Sequence, residues 1–310
     1  MERFNQRAAY GETLVALGAE NPDIVALEAD LGKSTMSCLF QQAFPERYFE
    51  MGIAEANMVS TAAGLAASGK IAFCSSFAVF ASGRAYDQIR QTVAIGRLNV
   101  KICGSSSGLS DFGDGGTHQS VEDVAIMSAI PNLTVFTPCD ADETRMAVRA
   151  AAAIEGPVYI RLTRNDVPAY TDNSFTPGKI SILRHGGDAA IIAHGVMVEA
   201  AMDAAIMLET KGISAMVVNA STMKPFDFAG VSALAAQVKA VVTAEDHNYI
   251  GGLASIVALA MRKSRAPMDY IAIDDKFGQS ARSHDGLMEH YGLTARAIAD
   301  KVAMLITSSK

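Results

Sequence analysis

Along the chain, short apolar runs alternate with longer stretches of helical period. The runs fall at residues 23–27, 71–74, 100–103, 133–136 and 158–161. Between them, residues 54–68, 83–95, 121–129 and 140–154 carry apolar positions three and four apart. Strands alternating with helices predict a mostly parallel sheet with helices on both faces. The alternation stops at residues 165–178, where two prolines sit among Asp, Asn, Ser and Thr, which reads as a linker. A second α/β series follows, with strands predicted at 188–193, 214–218, 240–244 and 270–273 and helices at 196–211, 253–262 and 294–306. The expectation is two α/β domains, residues 1–170 and 180–310, joined by residues 171–179.

Composition changes this picture little. Hydrophobic residues make up 50% of the 310 positions and charged residues 19%, enough for a large core and unlike a disordered chain. The net charge is −7 and no run of Lys or Arg stands out, which argues against nucleic acid as a partner. The first dozen residues carry no apolar signal core, and no stretch approaches the roughly 18 unbroken apolar residues of a membrane helix. The expected setting is the cytoplasm, away from membranes. Cys38, Cys74, Cys103 and Cys139 are scattered and read as reduced thiols. The six histidines show no metal-ligand spacing, so a zinc site built by this chain alone is not expected.

Two features invite chemistry. The glycine-rich stretch 104–118, GSSSGLSDFGDGGTH, follows a predicted strand, and ligands in open parallel sheets bind beyond the carboxyl ends of strands. Glu55 opens an otherwise apolar helix. A buried carboxyl needs a partner or neutrality, but a glutamate at a helix start also simply favours the dipole. Pattern alone leaves both readings open. The chain has no GxSxG elbow, GxxxxGK[ST] phosphate loop or GxGxxG fingerprint.

Seven segments, taken together and in order, carry a family resemblance. MGIAEANM, SSFAVFASGRAYDQIR, FGDGGTHQSVED and IRLTRNDVP resemble the pyrimidine-binding half of transketolases. TMKPFD, AEDHNYIGGLAS and FGQSARSHDGLMEHYGLT resemble the transketolase C-terminal domain. The chain looks most like the C-terminal subunit of a split transketolase. The resemblance implies a pyrimidine-binding α/β domain followed by a C-terminal α/β domain, and dependence on thiamine diphosphate. It makes Glu55 the group that activates the cofactor and aligns Phe77 and Phe80 with aromatics packed on the pyrimidine. Asp30 matches an aspartate beside the cofactor, and Gln119 is a further cofactor contact. Asp114 and His118 match residues that hold the donor's hydroxyls, with His118 also able to move protons, and Arg164 and Arg7 match phosphate-side arginines.

Departures from the family pattern accompany the match. Gly83 stands where a third aromatic is common, Ser106 where many members have a phosphate-binding histidine, and Glu28 where many have serine. Glu28 would repel a phosphate unless it points elsewhere, so an unusual sugar phosphate is expected. Gly113-Asp114-Gly115 imitates the family's metal motif but lies in the donor-binding loop. The resemblance therefore implies that Mg²⁺ and the diphosphate are held by a separate N-terminal subunit, in an assembly of two of each chain. The β subunit of a 2-oxo acid dehydrogenase, a 1-deoxyxylulose-phosphate synthase fragment and a non-catalytic scaffold of the same fold are the alternatives. His247 is expected to support assembly rather than catalysis.

Overall fold

A computed structural model describes residues 2–172 and 174–308; Met1, Asn173 in the expected linker, Ser309 and Lys310 lie outside the described residues. Two sheets organise the chain. The larger has seven strands in the order Thr222–Lys224, Thr134–Phe136, Val158–Arg161, Val100–Ser105, Ile71–Phe77, Ile24–Glu28 and Tyr48–Glu50. Six of these strands run parallel, and only Thr222–Lys224 is antiparallel to its neighbour. The central strands are buried along nearly their whole length, as parallel strands covered by helices on both faces must be. The second sheet has five strands in the order Met268–Ile273, Ala240–Asn248, Ala189–Ala193, Ala215–Asn219 and Ser181–Arg184.

The predicted elements are present, with informative differences. Residues 83–95, expected as one helix, are broken: Gly83 ends a helix at Ala78–Gly83, and Tyr86–Gln88 and a π-helical stretch at Ile89–Ala94 follow. The first helix, Gln6–Glu20, was not expected; its start is capped by Asn5, whose side chain accepts from the amides of Arg7 and Ala8. The stretch read as a linker begins with a strand, Asp166–Pro168, that pairs antiparallel with Arg3–Asn5. Thr222–Lys224, which follows the second sheet's strand Ala215–Asn219 in sequence, adds an edge to the first sheet. Neither three-residue strand has enough length for alternation to reveal it.

A buried ionic cluster joins the two sheets. Arg161, the last residue of its strand, holds Asp123 with Nε at 3.1 Å and Asp246, on the second sheet, with Nη1 at 2.7 Å. Tyr159 donates to Asp123 at 2.8 Å. Burial opposes the charge of Arg161, but the two aspartates more than offset it and hold its pKa above the usual value.

Candidate active site

The carboxyl ends of the parallel strands gather most of the expected site residues. Phe77 ends Ile71–Phe77, Glu28 ends Ile24–Glu28, the glycine-rich loop leaves Val100–Ser105, and Arg164 follows Val158–Arg161. Gly52, with φ +68°, turns the chain after Tyr48–Glu50 and delivers Glu55 as the first residue of Glu55–Ala67.

Glu55 is 3% exposed, and its Oε1 accepts from Arg84 Nη1 at 2.9 Å. The Arg84 guanidinium lies 4.0 Å from the Phe80 ring centre. Phe80 stacks on Phe77 with centroids 6.0 Å apart, and the His118 ring stands edge-on to both, 5.2 Å from Phe80 and 6.3 Å from Phe77. Glu55, Phe77, Phe80 and His118 therefore form one contiguous group, joined through Arg84, which sequence reading did not single out. Arg84 was legible only as part of the SSFAVFASGRAYDQIR segment; its partner is 29 residues away.

The glycine-rich loop is packed rather than open: Ser105–Ser107 and Leu109–Asp111 are buried, and Gly108 bridges to Ser120. The second domain props it. Gln119 donates to the carbonyls of Asp111 and Gln279, each at 3.1 Å, and Ala281 donates to the Phe112 carbonyl. A Cβ at Gly278 would collide with the end of the Gln119 side chain, so a larger residue there would displace Gln119 from this position. Gln119 is thus a clamp between loop and second domain. Asp114 is exposed at the loop tip and His118 is half-buried, its Nδ1 2.9 Å from Thr117 Oγ1.

At the far end of the site, Arg164 and Arg7 approach one another. Arg164 pairs with buried Asp111 at 2.8 Å, and Arg7 donates to the Ser34 carbonyl at 2.9 Å while its buried Nε has no hydrogen-bond partner. Burial, and after it the charge of Arg164, lower the pKa of Arg7. Asp111 is a second residue that sequence reading missed.

Glu28 is closed off from solvent and accepts from Ser37 Oγ at 2.5 Å, Thr35 Oγ1 at 2.7 Å and the Ala29 amide at 3.1 Å. Burial raises its pKa to about 7 against those donors. Asp30 is exposed in the left-handed region at φ +63°, its amide held by Glu50. Ser106 is buried at φ +52° with an unpartnered hydroxyl. Among the described residues no group of three His, Cys, Asp or Glu side chains is placed to hold a metal ion, and no helix is long and apolar enough to cross a membrane.

The site is thus a buried helix-start carboxyl joined through Arg84 to stacked phenylalanines at the carboxyl ends of a parallel sheet, backed by a second α/β domain. Residues 2–169 match the family model "Transketolase, pyrimidine binding domain" and residues 178–298 match "Transketolase, C-terminal domain". The chain belongs to the transketolase family. It is 43% identical to a putative transketolase C-terminal section of Methanocaldococcus jannaschii, covering 96% of this chain and 94% of that protein. It is 44% identical to the 6-deoxy-6-sulfo-D-fructose transketolase subunit SqwH of Clostridium sp., covering 100% and 97%. An apulose-4-phosphate transketolase subunit of Phocaeicola vulgatus is 35% identical, over 94% of each chain. Among solved structures, a split-gene transketolase described as an inactive β4 tetramer superposes with a TM-score of 0.90 at 44% identity, over 100% of both chains. A transketolase from Leishmania mexicana superposes at 0.85 with 25% identity, and the chain spans 46% of it.

Proposed function

We propose that this chain is the pyrimidine-side subunit of a split, thiamine-diphosphate-dependent transketolase. The enzyme moves a two-carbon ketol unit from a ketose phosphate to an aldose. The units are taken as residues 1–170 and 180–310, with 171–179 between them. The observation that carries the reading is the joined group of Glu55, Phe77, Phe80 and His118 at the carboxyl ends of the sheet. Its fit to an aminopyrimidine is supported by Arg84, whose flat guanidinium both stacks on Phe80 and pairs with Glu55.

In this reading thiamine diphosphate, when bound, would supply the nucleophilic carbon for ketol transfer, and this chain would hold its pyrimidine. Glu55 holds the pyrimidine ring nitrogen, and its low-dielectric setting strengthens that hydrogen bond. Phe80 and Phe77 fix the ring's plane by stacking. His118, against those rings, donates to or accepts from a donor hydroxyl and moves a proton there, while Asp114 accepts from a second hydroxyl. Arg164 and Arg7 receive the phosphate, the guanidinium fork matching its oxygens. Asp30 and Gln119 are further contacts to the cofactor in this reading, with Gln119 also fixing the donor loop. Mg²⁺ and the diphosphate fall to an N-terminal subunit, with two copies of each chain in the assembly.

The test is reconstitution with the N-terminal-type partner, thiamine diphosphate and Mg²⁺, assayed for ketol transfer. Glu55→Gln is expected to lower kcat by on the order of 10²–10³-fold, the range seen when one preorganised electrostatic contact is removed, with the fold retained. Full activity in that variant refutes the role of Glu55. Oxidative decarboxylation of 2-oxo acids in place of ketol transfer refutes the transketolase reading, and turnover of no donor favours a scaffold.

A further inference from the structure

Arg84 sits where two other claims on the site converge. Its guanidinium takes the Glu55 carboxylate at 2.9 Å and one face of Phe80 at 4.0 Å. Those are the two groups that the proposed function, on which this inference rests, gives to the aminopyrimidine. A guanidinium offers what such a ring offers: a flat face to stack and nitrogen at hydrogen-bonding distance from a carboxyl. A ring that takes the same carboxylate oxygen and the same face of Phe80 must displace Arg84. We propose that Arg84 is a placeholder: it holds Glu55 and covers Phe80 while the pyrimidine position is free, and swings out as the cofactor enters.

Three observations support a reversible role. Glu55 is buried, so a subunit without cofactor needs a partner for that carboxylate; an unpaired buried charge is costly. The Arg84 side chain is 49% exposed, so it can leave for solvent without breaking a core. Gly83 beside it is surrounded by open space, with nothing within 4 Å of where a Cβ would stand. A larger side chain at that position would fill this open space. The consequence is competition: the cofactor binds only the fraction of molecules in which the pair is open, and its apparent affinity falls by that fraction.

Arg84→Met keeps the long apolar stem and removes the cation and its donors. In the complex of this chain with its N-terminal-type partner and Mg²⁺, equilibrium dialysis of thiamine diphosphate is expected to give an apparent Kd about tenfold lower than wild type, or ~1.4 kcal/mol. Arg84→Lys, which keeps the charge but loses the flat fork, falls between the two. Urea unfolding of the full chain supplies a second reading: Arg84→Met lowers the midpoint when Glu55 is present and leaves it unchanged in the Glu55→Gln background. A wild-type complex that binds while Arg84→Met binds equally or more weakly overturns the placeholder alone; weaker binding makes Arg84 a cofactor ligand. A wild-type complex that binds no thiamine diphosphate overturns the functional reading together with this inference.

Discussion

Two arginines of the first domain meet buried carboxylates and differ in how much water reaches the cation. At the junction with the second sheet, Arg161 bridges Asp123 and Asp246 with all three side chains at most 3% exposed. At the candidate site, Arg84 meets Glu55 with the carboxylate buried and the guanidinium about half in water. The first has no exit, because every group has been taken from solvent and is repaid only by its partners. The second is closed on one side, so its cation is replaceable. Glu28 is a third solution, a buried carboxyl held by hydroxyls and one amide with no cation in its hydrogen-bond shell. A carboxylate's partner, and how wet that partner is, separates a fixed joint from an exchangeable site.

Breaking the fixed joint has the largest expected effect on stability. Arg161→Met leaves Asp123 and Asp246 buried without a counter-charge and is expected to cost about 3–5 kcal/mol in chemical denaturation. A loss below about 1 kcal/mol would mean that the junction is wetter than its geometry implies and would erase the contrast with Arg84. Glu28 tests the uncharged solution. Its pKa is raised from 4.5 to about 7, so the folded state prefers the protonated form. That contribution is fully present below the unfolded pKa and is lost as pH rises through about 7. Unfolding free energy measured from pH 4.5 to 8 should fall by about 2–3 kcal/mol more in wild type than in Glu28→Gln. Parallel profiles would show that the carboxyl ionises freely. The smallest effect belongs to the exchangeable pair: Arg84→Met leaves one buried carboxylate rather than two without its cation, and that cation was half in water, so the expected cost is about 1–2 kcal/mol. A cost matching that of Arg161→Met would make Arg84 a fixed structural element.

Much of the fold was legible because parallel strands buried on both faces read as short apolar runs. The pattern failed where elements are too short for periodicity, as at Asp166–Pro168 and Thr222–Lys224, or where the chain interrupts a helical pattern, as at Ala85. At the site, the resemblance brought forward Glu55, Phe77, Phe80 and His118, and the structure draws them into one group. Gln119, expected at the cofactor, also ties the donor loop to Gln279 through its Nε2. Glu28 was expected to trouble a phosphate and instead turns inward to Thr35 and Ser37. Neither outcome is visible in a string of letters, since each depends on which face of a strand end or loop the side chain leaves.

By itself the sequence determined the alternation of strands and helices, the two-domain plan, the membership suggested by its motifs and the candidacy of Glu55 at a helix start. Local periodicity and short motifs carry those, because they depend on neighbours three or four residues away. The tertiary structure alone decided that Arg84 reaches Glu55 across 29 positions, that Arg161 reaches Asp246 across 85, and that a strand following Asn219 completes the first sheet. Those pairings follow from strand order and the direction of side chains at strand ends, which long-range packing sets and local sequence does not encode.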